Sequence, residues 1–342
     1  MQRNMALAKF LVRRLLNYVI LAFIATSLAF ILASWLLNPQ EVMYPPNTVG
    51  GQPISEEVKQ AYFDLRNINP DVSIWQRYLN WLGDLFTAPW DEKLGVTAGT
   101  DKKALLVMPE LGTRIWISLR LVVIGTLLGV VTGIALGAWT AVRRGSLSDK
   151  AVSTISFVIL ALPTPVIILC IQGANLFVRQ TTGDSLPAVN PIDPFAEPGS
   201  WDAIKFQILA MIMPTFALML MGAASYSRYM KVTTLDVLGA DYLRTARAKG
   251  LTKGVAMRRH GLRMALIPMG QYFAFALTGA FTGSFFVERL FNWQGIGSWS
   301  LTQIQIADIN GTAAVVLYGA ILTLLAATLA DFIQAILDPR IR

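Results

Sequence analysis

Residues 233–268 read TTLDVLGADYLRTARAKGLTKGVAMRRHGLRMALIP, a polar and basic stretch that lies between two long apolar runs. Lipid offers no partners to backbone polar groups, so chains cross it as helices and place their charged connections outside. We therefore expect this stretch to emerge from a membrane between two spans. The rest of the chain is organised around it.

The middle of the stretch has the features of one short helix. Asp241 can accept hydrogen bonds from the free N–H groups of a first turn, and Gly250 tolerates the left-handed conformation that ends a helix. About two turns of helix are unstable alone in water, so the flanking spans or a partner must hold it. The expected contact positions are Leu243, Ala246 and Ala248, and the basic side chains around them are Arg244, Arg247 and Lys249.

The composition indicates an integral membrane protein. Hydrophobic residues make up 54% of the chain, mean hydropathy is +0.51 and only 15% of residues are charged, whereas soluble proteins have about 25% charged residues. The single cysteine, Cys170, excludes an intrachain disulfide. The net charge of +8 does not indicate nucleic acid, because loops on the cytoplasmic side of membrane proteins are basic.

Six segments are long enough to cross a hydrocarbon core of ~30 Å, which takes ~20 helical residues. This predicts an all-α integral membrane protein with six transmembrane helices. The first segment is too long, and lacks the cleavage pattern, for a removable signal peptide. The predicted spans are 15–37, 115–142, 151–177, 204–229, 265–287 and 313–337.

The distribution of charge predicts the orientation. With the N-terminus inside, the inner segments hold 18 of the 29 basic residues and 5 of the 21 acidic ones. The positive-inside rule then places both termini and the loop 230–264 in the cytoplasm. We expect three parts: the N-terminus with the first span (1–37), an extracytoplasmic segment (38–114) and a core (115–342).

The extracytoplasmic segment is expected to be partly helical. Ser55, followed by two glutamates, is typical of a helix start. Five apolar residues after it recur at helical spacing. Such aromatics are typical of the membrane interface, and contact with a substrate is the alternative. They are Trp75, Tyr78, Leu79, Trp81 and Leu82.

Small residues and prolines mark particular faces of the spans. Glycines at every fourth position of the second span, and a similar pair in the fifth, allow close helix packing in lipid; lining a solute path is the alternative. Pro163 and Pro165 in the third span and Pro214 in the fourth predict kinks. The glycines are Gly125, Gly129, Gly133, Gly137, Gly279 and Gly283.

Several kinds of chemistry are excluded or disfavoured by the sequence. The chain has no G-x-x-x-x-G-K-[ST] motif for nucleotide phosphates. His260 is the only histidine, so a zinc site made by this chain is not expected. Ion-coupled carriers need ionisable groups at mid-membrane, and here the charges lie near span ends. A secondary carrier and a membrane scaffold or receptor remain as alternatives from other classes.

The loop also resembles a known family. The stretches RTARAKG, RHGLR and ALIP within 244–268, and LDPRIR at 337–342, are similar to permease subunits of binding-protein-dependent ABC importers. Within that family the chain most resembles the peptide branch, which includes nickel relatives. The resemblance covers nearly the whole chain. It departs from the broader family in having Arg244-Thr245-Ala246 where that family has Glu-Ala-Ala.

The resemblance implies a fold, partners and functional residues. The fold would be that of a type I ABC importer permease. The partners would be a second homologous permease, two ATPase subunits that bind ATP and Mg, and an extracytoplasmic peptide-binding protein. This chain would bind no cofactor itself. The short helix would be a coupling helix that docks on an ATPase, formed by Leu235, Leu238, Asp241, Tyr242, Arg244, Thr245, Ala246, Arg247, Ala248, Lys249 and Gly250.

Some alternatives remain open within this interpretation. A basic loop that binds lipid headgroups is the alternative to a coupling helix, and nickel or another small solute is the alternative to peptide. Glu288 and Asp308, near the outer ends of the last two spans, are candidates for an outer gate or a binding-protein contact. An ordinary charged helix terminus is the simpler explanation of both.

Overall fold

The computed structural model describes residues 2–37, 48–49, 52–53, 55–87, 96–98, 104–187, 197 and 199–337. Long helices dominate these residues, as the hydropathy predicts. The helices are α1 (Gln2–Leu36), α2 (Glu56–Leu65), α3 (Ile74–Thr87), α4 (Val107–Val142), α5 (Leu147–Ala161), α6 (Thr164–Thr182), α7 (Trp201–Gly239), α8 (Asp241–Ala248), α9 (Lys253–Ala256), α10 (Leu262–Leu290), α11 (Ile296–Gln305) and α12 (Ile309–Leu337).

Short elements complete the secondary structure. A π-helical turn, Met257–Gly261, joins α9 to α10. Strands β1 (Thr48–Val49) and β2 (Gln52–Pro53) form one antiparallel pair, and β3 (Val96–Ala98) and β4 (Ala104–Leu106) form another. Both pairs lie in the segment between the first two predicted spans. Residues 38–47, 50–51, 54, 88–95 and 99–103 of that segment lie outside the described residues, as do residues 338–342 of the terminal motif.

The chain divides into two compact units. Residues 1–117 with 295–325 form the first, and residues 118–294 with 326–342 form the second. In the first unit Phe30 of α1 stacks on Trp81 of α3, with ring centroids 4.9 Å apart. The hydroxyls of Ser27 and Tyr78 lie 2.8 Å apart. Of the α3 side chains predicted to lie at the membrane interface, Trp81 is buried inside the protein and Trp75 is exposed.

The helix start predicted at Ser55 is confirmed. Its hydroxyl accepts from the N–H of Val58 at 3.4 Å, and Glu56 and Glu57 occupy the first turn of α2, where the helix dipole favours negative charge.

The amide of Asn310, at the start of α12, donates to the carbonyl of Arg66, at the end of α2 (2.8 Å). The outer segment and the last helix therefore share one core.

The kink predicted at Pro163 is confirmed, and it is a complete break. The helix axis bends by 112° between α5 and α6. A residue before proline is driven out of the helical conformation, and Leu162 is accordingly extended, with ψ 137°. The helix α7 runs through Pro214 without a break, and the kink predicted there stays a prediction.

Four helices are long and apolar enough to cross a membrane, namely Leu15–Leu36, Val107–Val142, Trp201–Gly239 and Ile309–Leu329. The bent pair α5–α6 makes a fifth if it is one span. These counts cover the described residues alone. The predicted span 265–287 lies within α10, whose side chains are described only in part, so the count of six stays a prediction.

Candidate functional site

The short helix expected in the polar loop is α8, and its start differs from the prediction. Ala240, in extended conformation, is the N-cap, and no side chain caps the helix. Asp241 is the first helical residue, so its carboxylate lies beside the first turn instead of over the free N–H groups. The prediction that Asp241 caps α8 is therefore wrong. An acidic residue in the first turn still interacts favourably with the helix dipole.

The end of α8 agrees with the prediction. Gly250 has φ +92°, a left-handed conformation that glycine adopts at little cost. The N–H of Gly250 donates to the carbonyl of Arg247 (2.9 Å), and the N–H of Leu251 donates to that of Ala246 (3.3 Å). These two bonds are the Schellman motif, which satisfies the carbonyls left free at a helix end.

One leucine anchors α8. Leu243 is 2% exposed and belongs to a cluster formed by α7, α8, α9, the π turn and α10. A Cβ on Gly261 would lie 3.0 Å from Cδ1 of Leu243, so the glycine leaves room for the leucine. This socket is lined by Tyr226, Met230, Ala256, Met257, Ala265 and Met269, with Val237, Leu238 and Ala246 packed against it.

The other face of α8 is open. Ala248, expected as a contact, is exposed, because Leu243 and the half-buried Ala246 alone turn towards the socket. The guanidinium of Arg244 lies 3.6 Å from the carboxylate of Asp241, but both side chains are exposed and such a pair contributes little. Partial burial raises the pKa of the Tyr242 hydroxyl, which therefore stays protonated. The exposed residues of α8 and its end are Asp241, Tyr242, Arg244, Thr245, Arg247, Ala248, Lys249 and Gly250.

Leu235 and Leu238 lie in the last turns of α7 and are half-buried. They join the long helix to α8 through the single residue Ala240. A displacement of α8 is therefore applied directly to the end of α7. This arrangement is suited to a mechanical connection.

The glycine face of α4 packs against α7. A Cβ on Gly125 would lie 2.7 Å from Cβ of Leu218, and one on Gly129 would lie 3.2 Å from Cα of Gly222. A Cβ on Gly133 would lie 2.5 Å from Cβ of Tyr226, and one on Gly137 would lie 2.8 Å from Cβ of Met230. Such distances leave no room for any side chain. The second pair, Gly279 and Gly283, lies in α10, and its packing is not among the described contacts.

The two acidic candidates of the outer side are buried. Glu288 is fully buried, and its carboxylate accepts from the hydroxyls of Ser118 (2.7 Å) and Ser284 (3.1 Å). Asp308 is also buried and accepts from the N–H of Gly311 at 2.9 Å. Both carboxylates are buried. Glu288 lies in the last turn of α10 and Asp308 directly before α12, so an ordinary charged helix terminus remains an explanation of both.

Sequence reasoning missed an ion pair in the second unit. The ammonium of Lys231 on α7 contacts the carboxylate of Asp149 on α5, and it also donates to the hydroxyl of Ser153 at 2.9 Å. The sequence shows two opposite charges near span ends on the same predicted side. Since 81 residues separate them, nothing local indicates their pairing. Among the described residues, no cluster of three His, Cys, Asp or Glu side chains could hold a metal ion.

Comparison with known proteins agrees with this architecture. The model of the family "binding-protein-dependent transport system inner membrane component" matches residues 133–342. The oligopeptide transport system permease protein OppB of Mycobacterium tuberculosis is 38% identical over 98% of this chain and 99% of its own length. The oligopeptide permease protein AppB of Bacillus subtilis is 28% identical over 98% and 99%. The di/tripeptide permease protein DppB of Pseudomonas aeruginosa is 29% identical over 97% and 98%.

A solved structure supports the fold. An inward-facing structure of the MetNI methionine ABC transporter superposes with a TM-score of 0.50 at 20% identity, covering 68% of this chain and 97% of that one. The fold is therefore that of a type I ABC importer permease, as the motifs of the loop indicate. With the family model matching more than half of its length, the chain belongs to the inner-membrane components of binding-protein-dependent transport systems.

Proposed function

We propose that this chain is a permease subunit of an ATP-driven importer that translocates oligopeptides delivered by a substrate-binding protein. The observation that carries the proposal is the 38% identity with an oligopeptide permease over 98% of the chain. The relatives at lower identity also bear names of peptide permeases. A likeness that extends over nearly the full length favours the same kind of cargo.

The short helix α8 is the surface on which an ATPase subunit docks. Its support is geometric: Leu243 anchors one face, and the opposite face is polar, basic and open. A helix of 8 residues has little stability of its own, so a partner that covers the open face would also stabilise it. A loop that only attracts lipid headgroups would need neither the anchor nor the Schellman end.

The complex contains partners that supply what this chain lacks. Two ATP-binding subunits bind and hydrolyse ATP with Mg, and this chain binds no cofactor. A second, homologous permease forms the other half of the path. The binding protein meets the outer surface, which includes parts of 38–114, 183–201 and 288–311. The complex lies in a bacterial plasma membrane, with both termini and the loop 230–264 in the cytoplasm, as the charge distribution favours.

The burial of Glu288 and Asp308 favours an internal role over contact with the binding protein. A buried carboxylate held by hydroxyl and N–H donors is costly to disturb, which suits a gate with two discrete arrangements. The glycines of α4 act in helix packing, since their contacts with α7 leave no opening along that face.

The proposal is tested by ATP-driven uptake of labelled peptides into proteoliposomes that contain the co-purified complex. Wild type is compared with Ala248→Glu, which adds a bulky charge to the open face of α8. Thr252→Glu, an exposed position just beyond the helix, is the matched control. We expect peptide uptake by wild type and by the control, and at least tenfold less by Ala248→Glu, about 1.4 kcal/mol of lost coupling.

Each result decides a separate part of the proposal. Normal uptake by an assembled Ala248→Glu complex would show that α8 is not the coupling helix. Uptake of nickel or another small solute without peptide would leave the permease assignment intact and overturn the cargo. Uptake that persists without the ATPase subunits would indicate an ion-coupled carrier.

A further inference from the structure

The contact between α5 and α7 is built around Asp149. This residue lies in the first turn of α5 and is only 5% exposed. Its Oδ2 accepts from the N–H of Gly145 at 2.9 Å, and its Oδ1 contacts the ammonium of Lys231. The carboxylate is thus held from both sides, by the turn before α5 and by α7.

Lys231 makes a second contact that fixes its direction. Its ammonium donates to Ser153 Oγ, one turn further along α5, at 2.9 Å. We call the group Asp149, Ser153 and Lys231 the polar joint. A lysine near the end of a span commonly extends to the aqueous interface, whereas this lysine turns sideways onto a neighbouring helix.

The same two helices meet at further polar and aromatic contacts. The hydroxyls of Ser156 and Ser227 lie 3.2 Å apart in a buried position. The guanidinium of Arg228 lies 3.7 Å from the centre of the Phe157 ring, a favourable cation–π distance. The joint is therefore the end of a stripe that runs along both helices.

The polar joint lies between α8 and the break that ends α5. On one side, α7 ends eight residues after Lys231 and passes through Ala240 into α8. On the other side, α5 ends at the 112° break before α6. Both helices are continuous between the joint and these ends. A shift of α8 therefore reaches α5 through the contacts between α5 and α7, and the joint is the contact nearest to α8.

The chemistry of the polar joint favours a role in passing motion from α7 to α5 over a role in stability alone. Replacing a buried ion pair with uncharged side chains of similar shape is often neutral or stabilising, so stability alone does not require the pair. An ion pair with fixed hydrogen bonds instead selects one register of two helices. A shift of one helix then carries its partner with it.

We infer that Asp149 and Lys231 are positioning residues that transmit the displacement of α8 into the broken helix pair α5–α6. The inference rests on the proposed function, because it takes α8 to be the coupling helix. It adds the path by which a displacement of α8, driven by ATP hydrolysis at the partner subunits, reaches the bend between α5 and α6.

The test is the number of peptides imported per ATP hydrolysed by the reconstituted complex. The main variant is Asp149→Asn/Lys231→Met, which removes both charges and leaves side chains of similar length. Because no unpaired charge is left behind, we expect this variant to assemble. We expect the ratio of peptide to ATP to fall by roughly 5- to 100-fold, and the charge-reversed pair Asp149→Lys/Lys231→Asp to regain part of it.

The controls are matched by residue type. Asp202→Asn removes an exposed carboxylate from the first turn of α7, and Lys205→Met removes an exposed ammonium from the same helix. Both should keep the wild-type ratio. A wild-type ratio in the neutral double variant would overturn the inference, and so would its failure to assemble, which would make the pair a structural brace. Failure of wild type to import peptide would instead overturn the proposed function.

Discussion

Two faces of the same helix, α7, differ sharply in how they contact their neighbours. Towards α4 the contact is made by glycines, and a Cβ on Gly129 would lie 3.2 Å from Cα of Gly222. Towards α5 the contact is made by Lys231, Arg228 and Ser227 with polar or aromatic partners. At the first face the bare backbone of the α4 glycines lies against Leu218, Gly222, Tyr226 and Met230 of α7, and the second face consists of long or polar side chains.

The difference teaches which contact can change. Closely packed backbones have no second arrangement at the same distance, because any shift brings atoms into overlap. Polar side chains hold one arrangement only while their specific partners are present. We therefore expect α4 and α7 to move as one body, whereas α5 follows α7 through a few polar contacts that single substitutions can remove. The glycine face also fixes Tyr226 and Met230, which line the socket of Leu243.

The largest effect is expected at the glycine face. Gly133→Leu would place a side chain where a single Cβ would already lie 2.5 Å from Cβ of Tyr226. Overpacking typically costs about 1–3 kcal/mol and occasionally more, and here the backbone cannot yield. We expect loss of the folded complex on size-exclusion chromatography in detergent.

The control is Gly173→Leu on α6, where a Cβ would meet nothing within 4 Å. This variant should remain folded. If Gly133→Leu eluted and unfolded like the control, α4 and α7 could separate easily, and the contrast between the two faces of α7 would be wrong.

An intermediate effect is expected where α8 joins the end of α7. Leu243→Ala removes the anchor, and the cost of truncating this buried leucine falls on one short helix, so the effect on the whole protein is smaller than that of Gly133→Leu. Because α8 has little stability of its own, we expect local unfolding of the helix and not of the whole protein. Hydrogen exchange at residues 241–251 should become faster, while exchange along α7 stays unchanged.

Leu147→Ala provides the comparison, since Leu147 is 84% exposed at the start of α5. It should leave exchange in α8 unaffected. Slow exchange retained by Leu243→Ala would mean that other contacts hold α8, and that its socket adds little.

The smallest effect is expected from one hydroxyl in the contact between α5 and α7. Ser156→Ala removes a partner of Ser227, but Ser227 Oγ also donates to the carbonyl of Ala224 at 3.0 Å. Polar contacts between membrane helices contribute about 0.6 kcal/mol on average. The midpoint of thermal unfolding should fall slightly. It should fall less than in Gly133→Ala, a variant that adds a single methyl group to the glycine face of α4. A larger loss than in Gly133→Ala would reverse the order of the two faces.

Local features of the fold could be predicted from the sequence. Ser55 followed by acidic residues predicted the start of α2, and Gly250 predicted the end of α8, because a few neighbouring residues determine both. Pro163 predicted a bend for the same reason. The start of α8 could not be predicted equally well. Ala240 adopts its extended conformation between two helices that pack against each other, and the local sequence also allowed Asp241 to cap.

Contacts between distant residues required the structure. The sequence shows that Asp149 and Lys231 are near span ends, but their pairing depends on the rotation of α5 and α7 about their axes. The burial of Glu288 depends likewise on Ser118, 170 residues away in sequence. The position of the candidate site could therefore be predicted from motifs, whereas its connections to the rest of the chain could not.

The break between α5 and α6 has a consequence for hydration. The last turn of α5 and the first turn of α6 leave backbone carbonyls and N–H groups without partners inside their own helices. Prolines at 163 and 165 reduce the number of unmet donors, since proline has no N–H, but they leave the carbonyls. Hydrocarbon cannot solvate these oxygens. At any depth within the bilayer, the bend must therefore face water or another protein surface, never lipid tails.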